Sequence, residues 1–191
     1  MTGTLAITGD DGADRLLNTN GTALLMGMLL DQQVPMEWAF RGPATLEERL
    51  GHLDAARIAA MDPDEFVEIC RQKPAIHRFP KSMGGRIHQL CVHLTEHYGG
   101  EGSRLWADDP DAATLFSRIS ELPGYGEEKS RIFLALLAKR FGVRPEGWEG
   151  LAGPFADDTP RSAADIDSAD SLESVRRWKQ EQRAAGKGKQ D

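Results

Sequence analysis

Apolar residues recur three and four apart within residues 23–30, 53–60, 87–94, 112–119, 132–137 and 172–178, the spacing that lines one face of an α-helix. No comparable stretch alternates apolar and polar residues with the period of a half-buried strand, so the pattern predicts an all-α fold. Helix starts are marked at Asp62-Pro63, before residues 65–70, and at Asp109-Pro110, before residues 112–119. Each places a cap or a first-turn proline where a helix accepts it. One strongly apolar run from Leu24 to Leu30 breaks at Asp31-Gln32-Gln33 and resumes after Pro35. Residues 142–170 hold three prolines, four glycines and seven acids with little periodicity, and are expected to wrap the core as loop. Helix returns over 171–183, with Leu172, Val175 and Trp178 as its stripe. The small and charged residues 184–191 are expected to fray, leaving a helical domain over 1–183. A chain of 191 residues, 40% of them hydrophobic, suits one compact unit or two closely packed helical lobes.

Between two of these helices lies Leu122-Pro123-Gly124-Tyr125-Gly126, followed by Glu127-Glu128-Lys129-Ser130-Arg131. Pro123 cannot continue the first helix, because it lacks a backbone donor and its ring clashes with the preceding turn. Gly124 and Gly126 allow a reversal with positive φ and leave the peptide groups uncovered. The N–H groups that follow then face outward at the positive end of a helix dipole, which is an anion site suited to phosphate. Tyr125 carries a ring that can anchor the turn between the two helices. Taken alone, the segment is equally a helix–helix turn whose glycines serve geometry only.

This pattern resembles the hairpin of the helix-hairpin-helix DNA glycosylases, the HhH-GPD superfamily, where it grips a DNA backbone phosphate. Two further segments, in the right order, share the resemblance. The run from Leu24 through Asp31-Gln32-Gln33-Val34 to Phe40 is similar to an early helix of the superfamily, nearest in style to the alkyladenine branch. The run from Arg78 to Leu94 is similar to a helix with a small-residue, basic and apolar repeat. The resemblance is strongest over residues 24–141. It implies an all-α HhH-GPD fold of two closely packed helical lobes with a cleft between them, and duplex DNA as the partner. It also implies that Leu122, Gly124, Tyr125, Gly126, Lys129, Ser130 and Arg131 form the phosphate grip. Gln32 or Gln33 would fill the gap left by an extruded nucleotide, a gap that costs a few kcal/mol in lost stacking. Either glutamine can equally close a helix end in solvent.

The net charge of −7 argues mildly against a nucleic-acid partner, but its distribution does not. Residues 1–70 sum to −8, whereas residues 71–104 carry six Lys/Arg against two acids and residues 129–144 carry five with none. Both basic blocks adjoin the segments expected to meet DNA, and local field decides attraction to a phosphate backbone. Each block taken alone also reads as a solvated helix face. Cys70 and Cys91 are too few for a disulfide framework and lie on apolar helical patterns. No cysteine follows Cys91, so the iron–sulfur cluster of some relatives is absent from the expectation. His93 and His97 are one helical turn apart, but without an acidic or thiol partner in register no metal site is expected. The resemblance is compatible with a monovalent cation at the hairpin and with no other cofactor. With no signal peptide, lipidation motif or membrane-length apolar run, the expected compartment is the cytoplasm, at the nucleoid, and the expected state is a monomer.

Active relatives carry an aspartate about twenty positions beyond the hairpin, where an ionised carboxylate stabilises the oxocarbenium-like sugar or activates water. The usual valine-aspartate-threonine/valine-histidine surround is not in this chain. Glu146, Asp158 and Asp165 are the candidates, at most one of them catalytic, and each is also an ordinary solvated or capping residue. Bifunctional relatives place a lyase lysine two residues after the second hairpin glycine, where this chain has Glu128. Lys129 is rotated from that position by about 100° and is expected to bind phosphate instead. Trp38 and Trp148 are the candidates for stacking on an extruded base; Phe40, Trp106, Phe155 and Trp178 are expected to be core. Two functions remain: a monofunctional DNA glycosylase, or a non-catalytic DNA-binding or lesion-recognition module on the same fold. An acidic side chain in the cleft facing the hairpin separates them.

Overall fold

The computed structural model describes residues 3–190. Among these residues there is no strand and there are ten α-helices. They are α1 (Asp11–Thr19), α2 (Gly21–Leu30), α3 (Met36–Leu50), α4 (Ala55–Ala59), α5 (Pro63–Arg71), α6 (Pro80–Tyr98), α7 (Ala112–Ser120), α8 (Glu127–Phe141), α9 (Trp148–Ala152) and α10 (Ala169–Ala184). The all-α expectation is met. Met1, Thr2 and Asp191 lie outside the described residues, and with them the outer bounds of the expected domain and tail.

Two helices are apolar all round and form the centre. Every residue of α2 from Thr22 to Leu30 is buried, as is every residue of α8 from Ile132 to Ala138. A helix without a polar face is stable only when others surround it. Helices α1 and α3 pack on α2, and α6 gathers α4 and α5. On the other side α7, α9 and the 3-10 turns Gly153–Ala156 and Ala163–Asp165 pack on α8. The two groups share one continuous core, in which the Tyr125 hydroxyl donates to the Leu25 carbonyl at 2.8 Å and its ring meets Phe133 edge-on.

One marked helix start caps as expected, at Asp62, whereas at the other the cap is Asp111, two residues beyond the expected Asp109. Asp62 accepts from the Asp64 and Glu65 N–H groups, and Asp111 accepts from Thr114. Helix α1 is absent from the apolar pattern because its apolar residues are few, and capping builds it. Asp10 caps its start, and Asn20 ends α1 while accepting from Ala23 to open α2. Residues 142–170 are largely loop with the short α9 inside. The tail is tied down as far as it is described: the Lys189 carbonyl accepts from Arg161, and Glu128 meets both Lys189 and Gln190. No helix among the described residues is long and apolar enough to cross a membrane.

Candidate nucleic-acid interface and active site

The two hairpin glycines do different work. Gly124 has φ +83°, and a Cβ there would stand 2.4 Å from Leu29 Cδ1, so only glycine fits. Gly126 has φ −80° and open space where a Cβ would point. The expectation that both glycines need positive φ is corrected: Gly126 is bare although its backbone suits any residue. It precedes α8 without offering a side-chain cap. The first turn of α8 therefore presents N–H groups and a positive dipole end beside an uncovered peptide.

Most of the other residues expected in the phosphate grip hold the turn from inside. Leu122 and Tyr125 are buried, and Ser130 is buried with its hydroxyl donating to the Gly126 carbonyl at 3.0 Å. Arg131 pairs with Glu127 at 2.6 Å. Lys129 is turned inward. Its Nζ donates to the carbonyls of Met28 at 2.6 Å, Leu29 at 3.1 Å and Asp31 at 3.4 Å. A lysine from α8 thus closes the carbonyl end of α2, where a cation is favoured by the dipole. Burial lowers its pKa to about 8, against the opposing pull of Asp31.

The loop after α2 distinguishes the two glutamines. Gln32 is locked: its amide donates to the Leu29 carbonyl at 2.8 Å, its Oε1 accepts from Arg86 at 3.2 Å, and its carbonyl meets His77 Nε2 at 2.9 Å. Gln33 is exposed with φ +58°, a left-handed conformation that costs a non-glycine residue about 1–2 kcal/mol. Strain of that kind is characteristic of sites that act on something.

Between this loop and the start of α8 lies a cleft of about 510 Å³, lined by Met28, Asp31, Gln33, Gly126, Glu128 and Lys189 among others. Asp31 is its part-buried carboxylate at the end of α2. Lys179 reaches toward it from α10, with Nζ 3.0 Å from Met36 Sδ. Burial lowers the Lys179 pKa, opposed by Asp31. Asp31 thus shares a cleft beside the hairpin with Lys129 and Lys189 and with two further acids, Glu127 and Glu128. Sequence reasoning passed over it as part of a helix break, although that break beside two glutamines was itself the signal.

The three carboxylates singled out from spacing lie elsewhere. Asp165 is held in the scaffold: it pairs with Lys139 at 2.7 Å, with only 8% of its side chain exposed, and accepts from the Arg161 and Ser162 N–H groups. Asp158 is exposed on the loop beyond Gly153–Ala156. Glu146 is exposed past the far end of α8, on the rim of a second cavity of about 730 Å³ with Asn18, Trp106, Asp109 and Asp111. None of the three joins the hairpin. Trp148 is corrected too, being buried at 8% exposure. Trp38 is exposed, but it lies outside the lining of the Asp31 cleft and stacks on His77.

The remaining candidates for chemistry are quiet. Cys70 and Cys91 are buried free thiols, and burial pushes Cys70 up to about 12 and Cys91 higher still. His93 and His97 face each other with ring centroids 4.5 Å apart, and burial lowers the His93 pKa. Among the described residues no three His, Cys, Asp or Glu side chains are grouped to hold a metal.

Neither a curated protein nor a solved structure matches the chain. A family model described as HhH-GPD superfamily base excision DNA repair protein matches residues 26–186, which takes in the α2 end, the hairpin and α10. The chain belongs to the HhH-GPD superfamily of base excision DNA repair proteins, and its substrate is DNA.

Proposed function

We propose that this protein is a monofunctional DNA glycosylase that acts as a monomer on duplex DNA, with Asp31 as its carboxylate. The observation that carries the reading is Gly126. Its φ of −80° and the empty space at its Cβ give the fold no reason for glycine, whereas an approaching phosphate needs the bare backbone. Gln33, held strained and exposed, fills the stack where a nucleotide leaves it. The extruded nucleotide enters the cleft, where ionised Asp31 stabilises the positive charge that develops on the sugar or orients the attacking water.

Two placements support the monofunctional reading. Glu128 occupies the position of the lyase lysine, and the Lys129 amine is committed to three carbonyls of the α2 end. The likeness of residues 24–40 to the alkyladenine branch directs the substrate toward alkylated bases. The non-catalytic module is the second reading, favoured by one observation: Lys189 lines the cleft and pairs with Glu128 at 3.6 Å, so the tail narrows the entrance.

The test is single-turnover base release from duplexes carrying an alkylated purine, uracil, hypoxanthine or oxidised guanine. Release on one of them that falls about 100-fold or more in Asp31→Asn supports the reading. Release that survives Asp31→Asn and disappears in Glu146→Gln moves the active site to the far cavity. Salt-sensitive duplex binding without release from any substrate establishes the module.

A further inference from the structure

Two large apolar side chains are exposed among the described residues, Trp38 at 39% and Phe79 at 44%. They flank one imidazole. The buried His77 ring stacks on Trp38 with centroids 6.4 Å apart and an interplanar angle of 28°, and lies 6.0 Å from Phe79. The strip is rigid. Trp38 Nε1 donates to the Ala75 carbonyl at 3.0 Å, the Phe79 N–H donates to His77 Nδ1 at 3.0 Å, and His77 Nε2 meets the Gln32 carbonyl at 2.9 Å. That last contact fastens the strip to the loop carrying Gln33. Exposing two large rings costs a soluble protein apolar burial, and rings fixed side by side at one place mark a contact surface.

The surroundings identify the partner. Residues 69–95 contain Arg71, Lys73, Arg78, Lys81 and Arg86 and no acid. Arg78 lies over the Phe79 ring at 5.3 Å, and Arg78 and Lys81 are exposed. Exposed rings interleaved with cations match the faces of unpaired bases and the phosphates that join them. A protein partner of ordinary size needs a wider apolar patch than two rings. Neither ring lines the Asp31 cleft, so the strip does not hold the nucleotide extruded there.

We propose that Trp38, His77 and Phe79 form a second nucleic-acid site, a stacking platform for unpaired nucleotides beside the Gln33 loop. Bases stack on the Trp38 and Phe79 rings while Arg78 and Lys81 meet the adjoining phosphates. The inference rests on the reading that Gln33 and the start of α8 engage DNA. It adds that the protein prefers DNA with unstacked bases next to a duplex, as at a gap or a bubble, over an intact duplex.

Tryptophan emission of the full chain is titrated with a thymine oligonucleotide, an intact duplex and the same duplex carrying a short gap. The oligonucleotide and the gapped duplex should quench the emission, and Trp38→Phe should remove most of that quenching. The Trp38→Ala/Phe79→Ala double variant should bind gapped and single-stranded DNA about 10- to 100-fold more weakly, while intact-duplex affinity changes less than about 3-fold. Gly126→Val should weaken the intact duplex and spare the oligonucleotide. Equal gapped-duplex affinity in wild type and the double variant overturns the platform and leaves the hairpin reading standing. Intact-duplex binding indifferent to Gly126→Val overturns the hairpin reading instead. Loss of a protein–protein contact in the double variant with DNA affinities unchanged would assign the rings to a protein partner and end the proposal.

Discussion

Lys129 and Lys139 stand on the same helix and are both largely withdrawn from water, yet their surroundings differ. Lys139 meets a carboxylate, Asp165 at 2.7 Å, with 11% and 8% of the two side chains exposed, and it also donates to the Asp157 carbonyl. Among the described residues Lys129 has no ion pair, and it donates to three backbone carbonyls at the end of α2. At the Lys139 end charge is matched and the loop is clamped. At the Lys129 end a helix start is bare, a glutamine is strained and a carboxylate shares a cleft with cations. The difference is between an acid fixed by a buried cation and an acid that, among the described residues, has no ion-pair partner and lines a cleft beside the hairpin.

The largest expected effect breaks the matched end. Lys139→Met leaves Asp165 buried without its cation and should cost about 3–5 kcal/mol, read as a shift in the urea midpoint. Asp165→Asn should destabilise as well, and any base release by the folded fraction should persist. At the other end Asp31→Asn should leave the urea midpoint nearly unchanged while base release drops about 100-fold, equivalent to about 2.7 kcal/mol of transition-state stabilisation. If Asp31→Asn unfolds the chain and Lys139→Met does not, the assignment of scaffold and site is reversed.

The glycines sharpen the same contrast with a smaller effect. Gly126→Val should hold stability within about 0.5 kcal/mol, as surface changes do. Duplex affinity should nevertheless fall about 10-fold, or about 1.4 kcal/mol, in a fluorescence-anisotropy titration. Gly124→Ala should instead destabilise the fold, since both its φ and Leu29 oppose a side chain.

A further effect is a slope with pH. Lys129 gives up its proton near pH 8 in the folded protein and near its ordinary 10.5 when unfolded. Between these values the unfolded chain binds more protons, so this group makes stability rise with pH across the window. The burial penalty is complete below pH 8 and is relieved above it. Urea midpoints of the wild type and Lys129→Met at pH 7.5 and 9.5 should differ in this rise, with the variant lacking it.

Much of this was legible along the chain. Six of the helical stretches, the cap at Asp62, the turn at Leu122–Gly126 and the break after Leu30 are local patterns, because periodicity and turn chemistry depend on near neighbours. The roles inside those motifs were not legible. Gly124 is required by Leu29, Lys129 is drawn inward by Met28, Gln32 is held by Arg86 and His77, and Asp165 is claimed by Lys139. Each of these partners stands far away in sequence. The sequence by itself determined that the chain is helical and carries a hairpin and a glutamine loop suited to DNA. Only the tertiary structure decided that Gly126, Gln33 and Asp31 are the members left facing outward or into the cleft, because exposure is what remains after distant side chains have taken their partners.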